Sequence, residues 1–264
     1  VTGRYAKGCA LERGSHKRTP FGIAKMRGLA TAAIPASIDL SPFAPPVVDQ
    51  TVFSACEGCS SSSAIYTTLA KAGTPLGWVP SQSGIYRLAR AVDRSDPSIP
   101  LLDQGTETNA VERALSDFGI GAMVANLNGT NCDLDGDTIN AEPVLAELER
   151  DAVNLLVGTY QITSSGAEKV NDVKLALASG FAVRVDTTVD QAFEDWTPAQ
   201  APYGSPNLSA SLGGHALFAL GFSGNTFTIR NSWSASWGAS GNLLASEAFI
   251  QQADCYVWSV KRAS

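Results

Sequence analysis

Apolar positions along this chain follow two different periods, and the change comes near residue 150. The spacing before it is helical. The run 59-CSSSSAIYTTLAKAG-73 sets Ala64, Ile65, Leu69 and Ala70 at helical intervals and stops at Gly73, which predicts a helix. Residues 82–93 and 106–118 predict two more; the second starts after Gly105 at Thr106, with Glu112 and Arg113 among apolar Ala110, Val111 and Leu115. Between Pro35 and Pro46 the prolines break any period and predict loop and short strand.

After residue 150 the runs shorten. Segments 152-AVNLLVGTYQI-162, 181-FAVRVDT-187, 215-HALFALGF-222 and 226-TFTIRNSW-233 are β-branched or aromatic and separated by Gly, Ser and Asn, which predicts strands. One clear helix, 171-NDVKLALASG-180, interrupts them and ends on a glycine. The chain thus reads as α+β, with a helical half over 36–150, a strand-rich half over 151–264, and an arm over 1–35 that holds no sustained period. There is no internal repeat.

Composition narrows what this frame can do. With 44% hydrophobic and 17% charged residues in 264, the chain has enough apolar content for a core and is not disordered. Apolar stretches such as 216-ALFALGF-222 fall well short of the roughly 18 residues of a membrane helix, so no membrane partner is expected. The net charge of −6 is unevenly spread: Arg4, Lys7, Arg13, Lys17, Arg18, Lys25 and Arg27 face only Glu12 in the first 30 residues, leaving the remainder at −12. A basic arm on an acidic body is the reverse of a nucleic-acid-binding domain, and no nucleic acid is expected.

The count of chemically useful residues is more restrictive still. His16 and His215 are the two histidines, which excludes a multi-histidine metal site and HExxH. No GxSxG elbow, Walker loop or complete GxGxxG is present, so neither metal nor cofactor is expected. The run 133-DLDGD-137 has a calcium-loop look, but Gly136 precedes the third Asp and Val144 stands where a bidentate Glu belongs, so it reads as an exposed acidic turn.

Two segments on opposite sides of the period change carry the candidate chemistry. In 46-PVVDQTVFSACEGC-59, Gln50 precedes Cys56 by six residues, and Cys56 lies just ahead of the predicted helix. The positive end of a helix dipole lowers a thiol's pKa and favours the nucleophilic thiolate. In 213-GGHALFALGFSGNTFTIRNSWSASWGASG-241, His215 opens one strand and Asn231 closes the next, so an antiparallel pair could bring them together.

These residues resemble the papain-like cysteine peptidases. The Gln-led approach to a Cys-led helix, the histidine strand 213-GGHAL, and 230-RNSWSASWGASGN-242 match that family's pattern, most specifically at Asn-Ser-Trp-x-x-x-Trp-Gly. The look is closest to short bacterial and phage-type members. The resemblance implies a papain-like α+β fold: a helical left half and an antiparallel, β-barrel-like right half, with an active-site cleft between them. It implies a peptide or protein substrate, and roles for four residues: Cys56 as nucleophile, His215 as general base and acid, Asn231 orienting the imidazole, and Gln50 as oxyanion donor. Trp233 and Trp237 would shield the site, Gly213 and Gly214 would line the cleft, and the arm over 1–35 would be propeptide-like.

Two positions depart from the family: Thr51 stands where Gly is usual, and Glu57 where Trp is usual. The 159 residues from Cys56 to His215 exceed the roughly 130–150 usual there, which implies an insertion around 124–150. Two rival readings stay open at this level. Cys56-Glu-Gly-Cys59 is a CxxC at a helix start, as in a thiol–disulfide oxidoreductase. Glu57 beside the thiol suits a papain-fold protein that binds without cutting. Cys59 itself reads as a reduced, buried packing residue; Cys9, Cys59, Cys132 and Cys255 allow three pairings among themselves, and neither compartment nor oligomeric state is assigned.

Overall fold

The computed structural model describes residues 9–10, 34–123, 126–143 and 155–262; most of the 1–35 arm, and part of the 124–150 stretch where an insertion is expected, lie outside them. Two short strands, β1 (Cys9–Ala10) and β2 (Ser37–Asp39), precede the first helix. That helix, α1 (Cys56–Lys71), begins three residues before the expected run and is buried nearly all round. Its serines explain the missed start. They interrupt the apolar period yet are themselves buried, with Ser62 Oγ donating to Pro80 O at 2.7 Å and Ser60 Oγ to Glu57 O at 3.3 Å. Small self-satisfied hydroxyls let neighbouring elements come close to the helix without unpaired polar groups. Gly73 ends it as expected, in the left-handed region at φ 74°.

Helix α2 (Gln82–Asp93) has the expected span. Its N-cap Ser81 accepts from Gly84 N at 2.7 Å, and its amphipathic face buries Ile85 and Leu88. Gly58 on α1 is what lets α2 approach, since a Cβ there would stand 2.4 Å from Gln82 O. The third helix, α3 (Thr108–Phe118), starts two residues late because Thr106–Glu107 is extended as β3, paired in parallel with β1.

The strand-rich half supplies β4 (Leu155–Ile162), α4 (Gly166–Ala178), β5 (Val183–Val189), the single turn α5 (Gln191–Glu194), β6 (Gly213–Ser223) and β7 (Thr226–Arg230). Three further elements that the pattern did not predict follow: β8 (Asn242–Ser246), α6 (Glu247–Gln252) and β9 (Asp254–Arg262). The sheet is antiparallel in the order β4-β9-β5-β6-β7-β8, with β2 added on β6. It has seven strands and is open, not closed into a barrel, because β4 and β8 end the path among the described residues. The two halves also share a strand, since β2 comes from the helical half.

One apolar core runs through both halves. Ile65 and Leu69 of α1, Leu88 of α2 and Val111 of α3 belong to the same buried cluster as Val173, Val185, Leu217 and Ile229. A smaller cluster of Val48, Ala55, Cys59, Tyr86, Cys132, Leu134 and Ile139 sits behind the start of α1. No helix among the described residues is long and apolar enough to cross a membrane.

Candidate active site

The strand pairing delivers the imidazole and its partner as the sequence spacing predicted. Antiparallel β6 and β7 bring His215 and Asn231 together, with Nε2 to Oδ1 at 2.7 Å. The same Oδ1 accepts the Ser232 backbone N–H at 2.7 Å, an obligatory donor, so this atom is the amide oxygen. An amide oxygen only accepts, so Nε2 carries the proton and Nδ1 holds the lone pair of the neutral ring. His215 is fully buried and stacks on Trp233 at 4.5 Å. Trp233 in turn meets Trp237 edge-on at 5.3 Å, and Phe193 of α5 stacks on Trp237 at 5.4 Å. Trp237 Nε1 donates to Glu194 O at 3.2 Å, so the buried indole is satisfied. Gly213 and Gly214 open β6 opposite Val189 and Thr188, half-buried beside His215.

The thiol side comes from the other half. Cys56 is the first residue of α1, fully buried and packed on Ala216, the neighbour of His215. Gln50 is tied to the asparagine turn at two points, its N–H donating to Ser232 O at 2.9 Å and Ser232 Oγ donating to its Oε1 at 2.5 Å, and its neighbour Asp49 bridges Trp233. Its Nε2 donates to Phe53 O at 2.8 Å, across the turn that leads into α1. Thr51 explains why glycine is usual next to this glutamine. Its φ is 53°, a left-handed conformation costly for a β-branched residue, held here by Asp49 Oδ1 accepting Thr51 N–H at 2.9 Å.

Cys59 lies one turn on, 1% exposed, beside the Cys132 thiol. Burial, and then the neighbouring Cys132, push its pKa well above the ordinary 9.0. Cys59, Cys132 and Cys255 carry thiols, so no disulfide links any of them. The acidic run corrects an expectation. Asp135 and Asp137 reach solvent, but Asp133 is buried, accepting Ser81 Oγ at 2.6 Å and Ser83 N–H at 2.8 Å at the start of α2. Helix N–H groups that need an acceptor outcompete water for it, while burial raises its pKa. Among the described residues no cluster of three or more His, Cys, Asp or Glu is placed to hold a metal.

Sequence reasoning singled out Glu57 but missed the group around it. Glu57, Thr108, Arg184 and Asp186, all buried, form a connected polar cluster directly behind Cys56. The available signal was Arg184 and Asp186 themselves, two charges two residues apart in the otherwise apolar strand 181-FAVRVDT-187.

Comparison with known proteins bears on the fold. No family model and no curated protein matches the sequence. Solved structures do. Xylellain, a cysteine protease from Xylella fastidiosa, matches over all of both chains at TM-score 0.69 and 19% identity. A procathepsin B from Trypanosoma congolense matches at 0.69 and 17%, over 97% of this chain and 86% of that one. The Carica candamarcensis cysteine protease solved with E-64 matches at 0.60 and 16%, over 87% and 100%. The protein therefore has the papain-like cysteine protease fold.

Proposed function

We propose that the protein is a cysteine peptidase that hydrolyses peptide bonds with Cys56, His215, Asn231 and Gln50. The observation that carries this reading is the His215–Asn231 bond at 2.7 Å, which fixes the tautomer with Nδ1 as base, beside a cysteine at the positive end of a 16-residue helix. Nδ1 takes the Cys56 proton and the thiolate attacks the scissile carbonyl carbon. The resulting oxyanion accepts from the Gln50 side-chain amide and the Cys56 N–H. Collapse breaks the C–N bond as the imidazolium returns the proton to the departing amine, leaving a thioester. Water, deprotonated by His215, then hydrolyses that thioester and releases the acid. Trp233 and Trp237 keep water from the His215–Asn231 bond.

The redox alternative is weaker on two counts. It leaves the Gln50 and Asn231 contacts without a role, and the raised pKa of Cys59 opposes a reactive dithiol. We also infer that the arm borders the cleft and restrains the enzyme. The support is that Cys9–Ala10 pairs with Thr106–Glu107 ahead of α3 and lies beside β6, the strand of His215. Its basic charge on an acidic body favours docking that salt weakens.

Hydrolysis of a peptide library tests both. Cys56→Ala and His215→Ala abolish turnover, Gln50→Ala lowers kcat by about a hundredfold or more, and Asn231→Ala does less. A chain starting at Ala36 turns over faster than the full chain, by a margin that shrinks with salt. Activity kept by Cys56→Ala but lost by Cys59→Ala would overturn the assignment; equal rates with and without the arm would make it a brace only.

A further inference from the structure

Glu57 follows the proposed nucleophile directly, and a carboxylate there would by itself oppose a thiolate. It is fully buried, and so is Arg184 of β5. The guanidinium grips both Glu57 oxygens, Nη1 to Oε2 at 2.6 Å and Nη2 to Oε1 at 2.9 Å. One hydrogen bond and one ion-pair contact together screen the carboxylate and fix its orientation. Arg184 also donates to Ser61 Oγ on α1 at 3.0 Å and to Asp186 Oδ1 at 2.5 Å. Thr108 at the start of α3 accepts from Nη2 at 3.0 Å and links the carboxylates of Glu57 and Asp186. The guanidinium carbon lies 5.8 Å from the ring centres of Tyr256 and Trp258 on β9. One cation thus ties the first turn of α1 to α3 and to the sheet.

We propose that Arg184 is a positioning residue for Cys56: by holding Glu57 in a two-point ion pair it screens that charge from the thiolate and fixes the start of α1 against β5, the strand paired with the one that bears His215. This rests on the peptidase reading and explains how a chain with glutamate in place of the usual tryptophan keeps a usable nucleophile. Asparagine-oriented imidazole and helix dipole then act on a thiol whose acidic neighbour is held and screened by a cation that it shares with Asp186. The other ionisable groups facing this turn are His215 on β6, Asp186 on β5, Tyr256 on β9, Asp103, which accepts from Ser54 N, and Cys59 with Asp133 behind it. All but Asp186 and Tyr256 keep their partners in every variant below; Asp186, like Glu57, loses its ion pair when Arg184 is replaced, so Glu57→Gln in the Arg184→Met background separates the two carboxylates.

The test is the pH midpoint of Cys56 ionisation, read in the full chain as thiolate absorbance at 240 nm against a Cys56→Ser blank, with circular dichroism confirming the fold. Arg184→Met should raise the midpoint by a pH unit or more, a tenfold loss of thiolate below it. Arg184→Lys, which keeps the charge and loses the two-point contact, should fall between Met and wild type. Glu57→Gln should restore the midpoint in the Arg184→Met background. If Arg184→Met does not fold, Glu57→Gln alone decides: it should lower the midpoint, and no change would overturn the proposal. Folded Arg184 variants that titrate like wild type would overturn the positioning role alone. A wild-type Cys56 with no ionisation below about pH 8.5, the value of an unperturbed thiol, would overturn the peptidase reading with it.

Discussion

The two sides of this site are built in opposite ways. On the imidazole side, His215 and Asn231 are 16 residues apart, and one hairpin sets their geometry. On the thiol side, Glu57 is bound by Thr108 and Arg184, 51 and 127 residues away. A local hairpin fixes its register by its own pairing, whereas the polar cluster forms only when α1, α3 and β5 have docked. The difference teaches that the geometry of the proposed base is a property of one segment, and the environment of the proposed nucleophile is a property of several packed elements.

The comparison breaks most sharply at Trp233. Trp233→Ala removes a ring that covers His215 and meets both Trp237 and Phe193. Loss of a buried aromatic costs about 3–5 kcal/mol, to be read from urea unfolding. Trp233→Phe should recover much of that stability.

The same contrast explains what was legible beforehand. Gln50, Cys56, His215, Asn231 and the two tryptophans sit in two continuous segments with recognisable spacing, and the structure brings them to one place. The α+β division followed from the change of period, with α2 found at its true ends. The start of α1 was hidden because buried serines look polar in a linear pattern. The partners of Arg184 and Asp186 were illegible because a charge inside an apolar strand does not show in sequence what it pairs with, and Asp133 was misjudged because the donors to its carboxylate come from Ser81 and Ser83, about fifty residues upstream. Thr51 illustrates a middle case: the departure was visible, and its positive φ was not.

A smaller effect sharpens the contrast through pH. Burial raises the thiol of Cys59 well above 9.0, and that of Cys255 to about 12. Folding therefore holds these protons while the unfolded chain releases them, so stability is full below about pH 9 and falls as pH rises toward the folded values. Each thiol contributes a slope of about 1.4 kcal/mol per pH unit at most. Denaturant midpoints measured between pH 8 and 10.5 should decline, and Cys59→Ala with Cys255→Ala should flatten the decline without touching the His215 side.

The central claim, that one thiol among several buried ones is the nucleophile and that His215 activates it, is tested most directly by epoxide labelling. The full chain is treated with E-64 at neutral pH and the adduct is located by mass spectrometry. The account predicts a single adduct on Cys56 that His215→Ala abolishes, with Cys59, Cys132 and Cys255 unlabelled. An adduct on Cys59, or one on Cys56 that forms equally fast without His215, would contradict it.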